Sequence, residues 1–156
     1  MFLKFWQNIS VSFATTLIIS IFTNHIKEAL LVILCTILLK MFIGSLHFES
    51  SSLCMIYSSL VMIGLTHINI DNSYFNYFIG FLAALSIILY APKNVRVFFK
   101  FKKENFKYLK WLGVLLILLS LVLGNSTIIL SFAFYSISIS PLFEKLFILL
   151  ERRKQP

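Results

Sequence analysis

A histidine and a cysteine seven positions apart, His47 and Cys54, are the residues of this chain best suited to covalent chemistry. A thiol attacks only as thiolate, and a paired imidazole lowers its pKa. The same imidazole can then protonate a leaving amine. The pair lies in Gly44-Ser45-Leu46-His47-Phe48-Glu49-Ser50-Ser51-Ser52-Leu53-Cys54, a polar stretch between two apolar runs. Seven positions along a continuous helix rise about 10.5 Å, beyond hydrogen-bond reach. The dyad therefore requires a bend. Gly44 tolerates unusual dihedrals, and the Ser50-Ser51-Ser52 run suits a helix cap. This predicts His47 on a bent segment and Cys54 on the first turn of the next helix. With Ser51 or Ser52 as N-cap, the helix dipole would also stabilise the thiolate. Against this stands the commoner role of a cysteine at the end of an apolar helix, that of a small hydrophobe. Cys35 has that role on sequence grounds, lying mid-run among Leu34, Thr36 and Ile37. His25 and His67 fall at run boundaries and read as interfacial polar residues without partners. With no metal-ligand cluster and no phosphate-binding glycine loop in the sequence, no cofactor is expected.

The elements that carry this pair follow from composition. The 156 residues are 59% hydrophobic and 13% charged, too few charges to coat a soluble surface. The apolar runs are Phe5–Thr23, Ala29–Ile43, Leu53–Ile68, Tyr74–Ala91, Trp111–Leu123 and Ile128 to about Leu150. They do not alternate as barrel strands would, and helices satisfy their own backbone groups in lipid. The expected fold is all-α: one polytopic membrane bundle over 1–156, with about six transmembrane helices. The run from Trp111 is short and is expected to begin near Phe106, with Lys107 and Lys110 snorkelling to the interface. The last run contains Pro141, Glu144 and Lys145, so it either kinks there or becomes an interfacial helix. The first run lacks a clean small-residue cleavage site and reads as a retained helix rather than a signal peptide.

Charge gives the direction. The loop 93–110 holds Lys93, Arg96, Lys100, Lys102, Lys103, Lys107 and Lys110 against Glu104. Cations collect on the cytoplasmic side. Threading six spans from that loop puts both termini inside, and 13 of the 14 Lys and Arg with them, leaving Lys27 outside. The His47–Cys54 segment then faces the cytoplasm, where a disulfide is not expected. Aromatic residues interleave with the cations of the basic loop, a pattern suited to anionic headgroups. The loop is pinned at the membrane and too short to be a nucleic-acid-binding domain.

The segment from Gly44 to His47 followed by Cys54 resembles the signature of the accessory gene regulator B family, membrane cysteine peptidases of Gram-positive quorum sensing. Tyr90-Ala91-Pro92, ahead of a basic loop, resembles that family's Ala-Pro element. Here Ser45, Leu46 and Phe48 stand where the family has Gly, an aromatic residue and Ala, and the nearest upstream basic residue is Lys40 rather than Arg. The family is usually longer, so the chain looks trimmed at its N-terminus. The resemblance implies cleavage of the C-terminal part of a small precursor peptide at the inner face of the cell membrane. Cys54 would be nucleophile and His47 base, then acid. The thioester would support cyclisation to a thiolactone or lactone. It makes Gly44, Ala91 and Pro92 motif residues. It offers Glu49, Ser50 and Ser52 as candidates to orient His47. Arg96, Lys100, Lys102 and Lys103 would contact lipid or the precursor's acidic tail. Homodimers are also implied by the resemblance. A different class remains open: a non-catalytic transporter or structural subunit, for which Cys54→Ala would be silent.

Overall fold

The computed structural model describes residues 2–44, 51–70, 72–91 and 106–152. Among these there are seven helices and no strand: α1 (Phe2–Phe22), α2 (Ile26–Phe42), α3 (Ser51–His67), α4 (Ser73–Tyr90), α5 (Phe106–Leu123), α6 (Ser126–Ser138) and α7 (Pro141–Arg152). Local chemistry explains their ends. Asn24 takes a left-handed φ of +58° after α1. The His25 N–H then reaches Ser20 O (2.9 Å) and the Asn24 N–H reaches Ile21 O (3.4 Å), a Schellman closure. Gly124 (φ +65°) ends α5 in the simpler way, its N–H bonding to Ser120 O at 3.2 Å. Ala91 is extended because the residue before a proline disfavours the helical region, and α4 stops at Tyr90. Asn72 and Asn125 start α4 and α6, each side chain accepting a backbone N–H at 3.2 Å.

Helix α6 is the hub. It packs against α2, α3, α4, α5 and α7, while α1 packs mainly on α3 and α5 on α4. Nine of its 13 residues are buried, and Ser126, Thr127, Ser131, Ser136 and Ser138 are among them. Small hydroxyl residues let helices approach closely. On α1, Ser12, Thr16 and Ser20 form one fully buried stripe. Most of these hydroxyls bond within their own helix, as Thr16 does to Ser12 O (2.8 Å) and Ser136 to Phe132 O (2.6 Å). Ser12 instead crosses to Met55 O on α3 at 3.3 Å. The outer surface is the reverse of this interior. Phe78, Phe81, Leu89, Leu115, Leu119 and Val122 are all exposed. Among the described residues, α4 is long and apolar enough to cross a membrane by length and composition, and several other helices are apolar but shorter.

The sequence left the last apolar run open between a kink and a separate helix at Pro141, and the structure separates it. The run from Ile128 to Leu150 is two helices, not one. Pro141 has no N–H to donate and its ring clashes with the carbonyl of Ile137, so α6 ends at Ser138 and α7 starts on the proline. The chain bends between them, and Phe143 meets Phe134 edge-on with ring centroids 6.4 Å apart. The other boundaries agree within a few residues, including the start of α5 at Phe106.

Candidate active site

Cys54 is the fourth residue of α3, a free, part-buried thiol on its first turn, as expected. Ser51 and Ser52 are the first two residues of that helix and so are not its cap, which corrects the sequence reading. The reason is that helical backbone begins ahead of the apolar run that marked the span. Ser52 is exposed. The Ser12–Met55 bond ties this turn to α1. Helical N–H groups of a first turn have no intrahelical partner and carry the positive end of the dipole.

Gly44 follows the end of α2. It is buried and has a φ of +89°, a conformation that glycine adopts at least cost. Ala91 is buried at the end of α4. Ile43, Ala91 and Ile139 share one apolar cluster, so the ends of α2, α4 and α6 meet. A Cβ on Gly113 of α5 would come within 3.0 Å of Ile43, so α5 is packed close there too. Two of the three motif positions are therefore fixed by one piece of core. His47, Glu49, Ser50, Pro92, Arg96, Lys100, Lys102 and Lys103 lie outside the described residues.

Two residues that sequence reasoning did not assign to the site meet across α2 and α6. Lys40, in the last turn of α2, places its ammonium over the Tyr135 ring of α6, 5.9 Å from the centroid. The Tyr135 hydroxyl is buried, with Thr36 of α2 beside it. The regular spacing of Lys40, His47 and Cys54, seven residues each time, was the signal available for the lysine.

The opposite end of the bundle is polar. His25 and His67 are not partnerless, contrary to the sequence reading. Their rings lie 4.9 Å apart, and His67 bonds to Thr23 Oγ1 (3.0 Å) and Ile63 O (2.8 Å). Three helix connections converge there, and folding rather than sequence adjacency joins the two rings. With Glu28, Asn69, Asn125 and Thr127 they line a cavity of about 340 Å³. Cys35, by contrast, is buried in the core as expected.

Comparison with curated proteins and with solved structures gives no match. The family model described as accessory gene regulator B matches residues 3–149. Proteins of that family are membrane-associated and take part in quorum sensing, acting on a propeptide. The match runs from α1 into α7 and includes Gly44, Cys54 and Ala91; the chain belongs to the accessory gene regulator B family.

Proposed function

We propose that this protein is a multi-pass membrane cysteine endopeptidase that matures a quorum-sensing precursor peptide at the cytoplasmic face. The observation that carries the proposal is Cys54 on the first turn of α3, within the region matched to a propeptide-processing family. In the proposed reaction the Cys54 thiolate attacks the scissile carbonyl. The amide bond breaks as His47 delivers a proton to the departing amine, and a thioester forms. A thiol or hydroxyl of the precursor then attacks that thioester, closes a thiolactone or lactone ring and releases Cys54. Ring closure outcompetes hydrolysis only where water is scarce, and a site at the lipid boundary provides that.

Helices α1–α6 cross the membrane as one integral domain with both termini inside, and α7 lies at the inner surface. Burial of small hydroxyls and exposure of large apolar side chains support this reading, because lipid inverts the usual preference of a surface. Glu49, Ser50 or Ser52 orients His47, and Arg96, Lys100, Lys102 and Lys103 meet anionic lipid or the acidic tail of the precursor. The test is co-expression with a precursor of this class, followed by mass spectrometry. Loss of both cleavage and cyclisation in Cys54→Ala and His47→Ala is expected. Full processing by either variant would overturn the assignment.

A further inference from the structure

Helix α7 is built differently from the six before it. Helices α1–α6 carry apolar residues all round, whereas α7 sorts its residues onto two sides. Leu142, Leu146 and Leu149 follow one another at helical spacing and form one stripe. They are 78%, 51% and 61% exposed. Glu144 and Ile148 lie on the other side. Phe143 turns to Phe134 of α6, so the leucine stripe lies beside that contact and is not covered by it. Among the described residues α7 packs on α6 and on no other helix. Its 12 residues rise about 18 Å, too short for a hydrocarbon core of about 30 Å. Ile139, just ahead of α7, packs in one cluster with Ile43 and Ala91, so α7 sets out from the Gly44 end of the bundle. A helix apolar all round suits a medium that is apolar all round. One that is apolar on a single side suits a boundary between lipid and water. Charge says which boundary. Lys145 is exposed at the edge of the leucine stripe, and from Pro141 onward Lys145, Arg152, Arg153 and Lys154 stand against Glu144 and Glu151.

We propose that α7 is an anionic-lipid-binding helix, with Leu142, Leu146 and Leu149 seated at the acyl boundary and Lys145 among acidic headgroups. The inference rests on the membrane placement proposed above, and adds the lipid partner and the residues that meet it. The leucines supply the seating. The excess of cations supplies the choice of lipid, because acidic headgroups attract basic segments at the membrane surface and neutral ones do not. A helix seated in this way also fixes the depth of the α6 end from which it leaves.

The experiment reads the surroundings of α7 directly, without a substrate. The full-length chain carrying Cys35→Ala and Cys54→Ala receives single nitroxide labels and is placed in lipid nanodiscs. Power saturation then compares access by oxygen, which partitions into lipid, with access by a water-soluble nickel complex. Labels at Leu142→Cys, Leu146→Cys and Leu149→Cys are expected to favour oxygen severalfold over labels at Glu144→Cys and Ile148→Cys. Mixing phosphatidylglycerol into phosphatidylcholine should raise the oxygen preference at the leucine positions. Lys145→Gln combined with Arg152→Gln, Arg153→Gln and Lys154→Gln should abolish that rise. Leu142 and Leu149 carry the test if the label at Leu146 spoils folding, as judged by gel filtration. Leu119→Cys, on the exposed side of α5, is the control for the membrane placement itself. Oxygen preference at Leu119 with none at the leucine stripe would overturn the α7 proposal and leave the placement standing. Its loss at both would overturn the placement and this proposal with it. Spin–spin broadening along the stripe would put a second copy of the chain there and overturn the lipid assignment, as would equal ratios with and without phosphatidylglycerol.

Discussion

At the scale of single residues, the first-turn position of Cys54 was readable because a serine run and an apolar run meet there. Lys40 and Tyr135 were not. Each is unremarkable within its own run, and only the packing of α2 on α6 brings them together. The two cysteines should differ sharply. Cys35 is 3% exposed in the core, and Cys54 is part-buried at a helix start. Limited alkylation of the folded protein should therefore modify Cys54 and spare Cys35, with peptide mapping as the measurement. Gly44 offers a second prediction at this scale. An added Cβ is strained at a φ of +89°, so Gly44→Ala should cost roughly 1–2 kcal/mol of stability. Thermal unfolding in detergent would show it as a lower midpoint.

At the scale of elements, most of the helix ends carried their own signatures. Asn24, Gly124 and Ala91-Pro92 mark stops, and Asn72 and Asn125 mark starts. The division of the last run was harder to read because a proline either kinks or ends a helix, and tertiary contacts of α6 decide which. The same holds for Ser12, Thr16 and Ser20, polar residues within the first apolar run whose common face only the packing reveals. It is buried where α1 packs on its neighbours, and Ser12 meets α3 there. A large side chain there has no space, so Thr16→Leu should destabilise by about 1–3 kcal/mol. Ala14→Leu on the exposed face of α1 should be nearly neutral, and the pair compared by thermal unfolding checks the packing.

At the scale of the whole molecule, hydropathy made the all-helical class legible, and charge gives the direction that the proposed function adopts. Helix pairing was not readable, because lipid-facing and protein-facing apolar residues are alike in type. The hub position of α6 comes from its hydroxyls, whose meaning depends on the neighbours they admit. The proposed topology makes one prediction at this scale. Cysteines introduced at Lys107 and Asn125, both exposed at opposite ends of α5, should react with an impermeant reagent from opposite sides of the membrane. Cys35→Ala and Cys54→Ala would supply the background, and labelling of both from one side would break the proposed threading.

The histidine end of the bundle is fastened by directional contacts. Around His25 the helices are tied across their gaps: His67 to Thr23, Ser126 to Asn69, and one imidazole against another. Hydrogen bonds are fixed in geometry where apolar packing is non-directional, so these contacts set the register in which the helices leave that end of the bundle.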